Sequence, residues 1–210
     1  MMALLKKDIY IIWKCTPVLP LCMLVISLVA ARNQRSLALL LELGALISVL
    51  INVVLEIDEA NRWHVFQDTM PLSRARVIAE KYVLLAGTSL VAALWQSAVN
   101  TVMMLVRTQH VELGNIVFLP SIVFCAGMVL SSVLMPFSFH NGALYGRQVY
   151  SALMVVWLIG VLIISRLVRI PNHIPVHPAV LVSVLLGTGV LFGAVSCAIS
   201  IALYRRRDIR

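Results

Sequence analysis

An all-α, polytopic membrane fold with six transmembrane helices is predicted by three observations. There are six long apolar segments, the connections between them are short and mostly basic, and no stretch is left over for a soluble domain. Hydrophobic residues make up 61% of the 210-residue chain and mean hydropathy is +0.97, unlike a soluble globular mixture. A helix rises about 1.5 Å per residue, so roughly 20 apolar residues cross a hydrocarbon core about 30 Å thick. The spans are predicted at 17–31, 37–55, 82–106, 116–135, 149–165 and 179–203, which makes residues 1–210 one membrane domain.

Residues 1–14 read as an interfacial helix, with Leu5, Ile9 and Ile12 along one face and Lys7 and Lys14 opposite. The first span is expected to be retained rather than cleaved as a signal. Pro17 and Pro20 interrupt its apolar part, and no small-residue cleavage site precedes the 32–36 loop. Cys15 and Cys22 fall seven residues apart on one helical face. With Cys125 and Cys197 they lie in or beside spans, where sulfur packs as a small apolar group.

Few polar residues interrupt the spans. Glu42 and Asn52 lie in the second, and Gln96 and Asn100 share a face of the third. Such groups are costly in hydrocarbon, so they either bond neighbouring helices or line a substrate route. Gly189 and Gly193, extended by Ser196 and Ser200, let another helix approach the last span closely, and packing within the bundle is expected.

The net charge of +8 is unevenly placed. With the N-terminus inside, Lys6, Lys7, Lys14, Arg62, Arg74, Arg76, Lys81, Arg147, Arg205, Arg206, Arg207 and Arg210 fall on inner segments. Arg32, Arg35, Arg107, Arg166 and Arg169 fall outside. Twelve against five satisfies the positive-inside rule with both termini cytoplasmic. The basic tail then orients the chain and meets anionic lipid; nucleic-acid binding is not expected. The outer 169–178 loop carries His173 and His177, but Pro175 between them breaks the helix that would align them as metal ligands.

Two inner connections carry aromatic surface. In the first, 57–81, two short helices fit: one over 59–67, presenting Trp63, Phe66 and Met70 at helical spacing, and one entering the third span after Pro71. Ser73 is placed to cap the second of these helices, and Arg74 and Arg76 occupy its first turn against the macrodipole, which suggests a contact. Its composition suits burial among headgroups and docking on a protein equally well. The second connection, 136–148, is a loop with a turn at Asn141-Gly142 and an apolar set of Phe137, Phe139, Leu144 and Tyr145. This asymmetry between inner and outer loops points to a cytoplasmic protein partner.

No G-x-x-x-x-G-K-S/T, H-E-x-x-H or G-x-S-x-G occurs, so the chain is not expected to be an enzyme or to bind a cofactor or metal itself.

The stretch Asp58-Glu59 through Trp63, then Met70-Pro71-Leu72-Ser73-Arg74, then Val77 and Lys81-Tyr82 resembles the signature of small type-two ATP-binding-cassette (ABC) exporter permeases. Met135-Pro136-Phe137 with Asn141-Gly142 and Arg147 resembles that family's entry to the fifth span, although Phe139-His140 stands where the family often has Lys. Leu4-Leu5-Lys6-Lys7-Asp8 is similar to its amphipathic start.

The resemblance implies a permease that pairs with a second permease, identical or related, and binds a separate ATPase carrying the ATP and Mg. The implied coupling residues are Glu59, Arg62, Trp63, Phe66, Met70, Pro71, Ser73 and Arg74, with Phe137, Asn141 and Tyr145 from the second loop. It also implies outward transport of a peptide or other amphipathic molecule across a bacterial plasma membrane. Glu42, Asn52, Gln96 and Asn100 are the candidate path. A substrate-binding subunit for vitamin or metal uptake and a non-transport scaffold are the alternatives.

Overall fold

The computed structural model describes residues 2–32, 37–63, 73–106, 113–167 and 178–205. These residues form seven helices and no strand: α1 (Met2–Cys15), α2 (Leu19–Arg32), α3 (Leu37–Ala60), α4 (Arg74–Val106), α5 (Leu113–Asn141), α6 (Ala143–Leu167) and α7 (Pro178–Arg205). Five helices are long and apolar enough to span a membrane, or six spans if α1 and α2 count together.

α1 and α2 meet at a 76° bend. Pro17 supplies no amide, and the chain turns on Thr16, whose Oγ1 donates 2.6 Å to the Ile12 carbonyl. The bend puts Cys15 and Cys22 on separate helices, so they do not share the face expected of them. α1 does lie apart from the first span, and Leu5 and Ile12 pack against the core while Lys14 is exposed, but Ile9 and Lys7 depart from the predicted faces. Ile9 and Trp13 point outward at 51% and 80% exposure, while Asp8 is fully buried. Its ion pair with Lys81 of α4, reported below, holds Asp8 inward. α2 has 14 residues, about 21 Å of rise, shorter than the hydrocarbon core.

α4 has 33 residues, so Arg74–Lys81 continues the third span as one helix. Ser73 precedes it as expected of a cap, with its carbonyl accepting from the amides of Arg76 and Val77. α3 runs unbroken through Glu59 to Ala60 and ends in a turn at Arg62, φ 50°. Glu59 therefore ends a span rather than starting a separate coupling helix.

A second correction concerns 136–148. α5 continues through Pro136 to Asn141, and α6 starts at Ala143 after a single intervening residue. The expected loop is thus two helices meeting at Gly142, whose φ of +93° is a region that glycine alone enters freely. Proline removes the amide that would bond the carbonyl four residues back, here Ser132. Ser196 of α7 restores that bond with its hydroxyl, as membrane helices do at proline sites.

α5 is the central helix. In its apolar window 67% is buried, against 11% in α6 and 17% in α7, which present most of their apolar residues outward. α3 and α5 touch backbone to backbone. A Cβ on Gly44 would stand 2.6 Å from the Ala126 Cβ, and one on Gly127 would stand 2.6 Å from the Ile47 Cδ1. Gly193 faces Met128 and Gly189 faces Phe124, so the small residues of α7 pack on α5 within the bundle, as expected.

Candidate functional site at the charged end of the bundle

One end of the bundle gathers the charges that the sequence scatters over its length. Lys81 of α4 reaches Asp8 Oδ2 at 2.5 Å and Asp58 Oδ2 at 2.7 Å. Lys7 reaches Asp58 Oδ1 at 2.5 Å and Asp8 Oδ1 at 3.1 Å. Two ammonium groups and two carboxylates thus alternate, tying α1, α3 and α4 together. Glu80, 2% exposed, adds a third carboxylate beside Asp8. Lys7 Nζ also stands 4.3 Å from the centre of the Trp63 ring, a cation–π contact.

The position of each charge follows from local structure. Asp58 lies in the last turn of α3, Lys81 seven residues into α4, and Asp8 on the inner face of α1. Buried ions lose their hydration, and only close pairing with several partners offsets that cost. Lys81 has both carboxylates, and neither carboxylate is left to a single lysine.

Beside this cluster lies a hydroxyl chain. The Tyr82 hydroxyl is 2.6 Å from Ser196 Oγ and 2.8 Å from Ser200 Oγ. Ser196 gives its only hydrogen to the Ser132 carbonyl, so it accepts from Tyr82, and Tyr82 in turn accepts from Ser200. This chain joins α4, α7 and the proline break of α5. Phe139 and Tyr204 close the same end edge to face, centroids 6.0 Å apart.

The two predicted coupling segments meet here. The Glu59 carboxylate packs on Gly142, where a Cβ would fall 2.6 Å from Oε1. The acid at the end of α3 therefore sits where α6 begins, a favourable place for a carboxylate. Trp63 lies half-buried under Lys7, Arg62 is exposed in the turn, and Ser73 is exposed before α4. Asn141 and Tyr145 are exposed on either side of Gly142, and Phe137, also exposed, lines a groove between α5 and α7. Phe66, Met70 and Pro71 lie outside the described residues, as does the Arg74 side chain, although Arg74 itself opens α4.

Of the four candidate path residues only Asn52 lies near the charged end. From Asp58 along α3, Asn52 is about 9 Å away and Glu42 about 24 Å; from Lys81 along α4, Gln96 is about 22 Å away. Asn52 is buried and donates to Glu56 at 3.0 Å, while Glu42 is half-buried. Gln96 Nε2 donates to Asn100 Oδ1 at 3.1 Å, and Gln96 Oε1 and Asn100 Nδ2 have no hydrogen-bond partner among the described residues. His173 and His177 lie outside the described residues.

Sequence reasoning gave Lys7, Asp8, Asp58, Lys81 and Tyr82 no contact with one another. The available signal was opposite charge at the same end of three neighbouring apolar segments. Glu80 and Ser132 carried no signal of their own.

No curated protein and no solved structure matches the sequence. A family model described as ABC-2 family transporter protein matches residues 3–205, which takes in every helix of the bundle and all of the charged end. The chain therefore belongs to the ABC-2 family of transporter membrane proteins.

Proposed function

We infer that this chain is the permease subunit of an ATP-driven exporter, and that its charged end is where a separate cytoplasmic ATPase docks. The supporting observation is the meeting of both inner connections at that end. Glu59 packs on Gly142, and Trp63 is held under Lys7 beside the Lys81 cluster. A push on the 57–81 segment would reach α1, α3 and α4 through ion pairs and α6 through Gly142. A rigid patch of this kind passes motion on; a loose loop would absorb it.

In this reading the chain hydrolyses nothing itself. ATP and Mg bind the partner, and Trp63, Phe66 and Met70 fill a groove on it while Arg62 and Arg74 supply ion pairs. A second permease, identical or related, completes the path. The cargo is a peptide or other amphipathic molecule carried outward across the plasma membrane. Gln96 and Asn100, with unpaired polar atoms in the bundle interior, are the residues best placed to meet a polar group, since a buried unpartnered polar atom costs about 1–3 kcal/mol.

The test is co-purification with a candidate ABC ATPase co-expressed from the same genome. The wild-type chain is expected to retain the ATPase through affinity purification, and the Trp63→Ala/Arg74→Glu double variant to lose it while still reaching the membrane. Undiminished ATPase in the double variant would remove the coupling assignment.

A further inference from the structure

The charged end holds three carboxylates but only two ammonium groups, and the ion pairs engage just two of the acids. Lys81 Nζ closes on Asp8 and Asp58, and Lys7 Nζ closes on the same two side chains. Glu80 is 2% exposed and makes no ion pair among the described residues. Its Oε1 atom has no hydrogen-bond partner there either.

The group that Glu80 does meet is another acid. Its carboxyl is hydrogen-bonded to Asp8, which is fully buried. Two ionised carboxylates have no hydrogen to share, so such a bond requires a proton on one of them. Asp8 faces both lysines and stays ionised. The proton therefore sits on Glu80, whose O–H donates to Asp8. Burial favours the same state, because a carboxylate taken out of water without a close cation is costly.

The third span is expected over 82–106, which leaves Glu80 outside it, at the end of the bundle. There burial acts most strongly and raises its carboxyl. Lys81 of the same helix lowers it, Asp8 raises it by charge and by the hydrogen bond, and Lys7 lowers it, so that it is pushed up to about 7. From α3, Asp58 is engaged by both lysines and Glu56 by Asn52. No described charge of α2, α5 or α7 acts on it. With the proton in place, two lysines balance Asp8 and Asp58. Without it, a third negative charge faces Asp8 across the contact between α1 and α4.

We propose that Glu80 and Asp8 form a proton-binding site, in which one exchangeable proton on Glu80 holds α1 against α4. A carboxyl raised above its unfolded value stabilises the fold below that unfolded value, and the contribution is lost as pH rises through the folded one. The attachment of α1 therefore weakens between about pH 6 and pH 8. The site does not depend on the ATPase, and its failure would leave the coupling assignment standing.

Infrared difference spectra of the full chain in lipid nanodiscs, paired with thermal melts, test it. The carbonyl band of a protonated carboxyl is expected to fall about tenfold between about pH 6 and pH 8, and the wild type to melt lower at the alkaline end. Glu80→Gln keeps a donor to Asp8 without the charge. It is expected to remove the band and to flatten the melt over the same range. Asp8→Asn leaves two acids for two lysines, so Glu80 is expected to ionise and the band to vanish although Glu80 is still present. That loss separates a shared proton from simple burial of Glu80. A wild-type spectrum with no band that Glu80→Gln removes would overturn the proposal. A band that survives Asp8→Asn would do so too, as would equal pH dependence of the melt in the wild type and Glu80→Gln.

Discussion

Lys81 is held by two carboxylates at 2.5 and 2.7 Å in a site only 3% exposed. Removing it strands Asp8 and Asp58 with Lys7 alone. Breaking a buried pair from one side costs about 3–5 kcal/mol, so Lys81→Met is expected to lower the thermal unfolding temperature of the detergent-solubilised protein sharply. Lys14→Met, exposed at the end of α1, is expected to leave it unchanged. Equal effects would mean that the cluster carries no stability. The hydroxyl chain gives an ordering. Ser196→Ala orphans the Ser132 carbonyl that Pro136 already deprives of a partner, and it also costs Tyr82 its acceptor. Tyr82→Phe leaves Ser196 still bonded to Ser132. Each variant loses two bonds, but only Ser196→Ala strands a backbone carbonyl, at a cost of about 1–3 kcal/mol, so it should destabilise more than Tyr82→Phe in the same melt. The reverse order would contradict the donor assignment.

At the scale of elements, the spans were legible because each is a long apolar run, and the start of α4 was legible from Ser73. Two of the departures share a cause. The 136–148 connection is expected as a loop, yet the helix runs on through Pro136 because a membrane bundle can supply the missing donor from another helix, and Ser196 gives no sign of that in sequence. The faces of α1 were assigned from its own periodicity, but Asp8 and Lys7 are turned inward by Asp58 and Lys81, which lie 50 or more residues away. The Gly44–Gly127 contact is invisible for the same reason, since neither glycine belongs to a spaced pair. The junction of α5 and α6 supplies an element-scale prediction. Gly142→Ala meets both a positive φ, worth about 1–2 kcal/mol, and the Glu59 carboxylate. In a double-mutant cycle Glu59→Ala should recover the steric part and leave the backbone part, giving a non-additive pair in chemical denaturation. Strict additivity would separate the two inner connections.

For the whole molecule, α5 forms the axis and α6 and α7 turn most of their apolar surface outward. The logic of charge is spatial: Asp8, Asp58, Lys81, Glu59 and Gly142 all belong to one end, which we propose faces the cytoplasm, in keeping with the positive-inside rule. The account stands on that side being the one where ATP is used. Arg62, exposed in the turn after α3, reports on it directly. With the four native cysteines replaced by alanine, Arg62→Cys is expected to resist a membrane-impermeant maleimide in intact cells and to react once the membrane is opened. Full labelling in intact cells would put the charged end outside, away from any ATPase, and contradict the account.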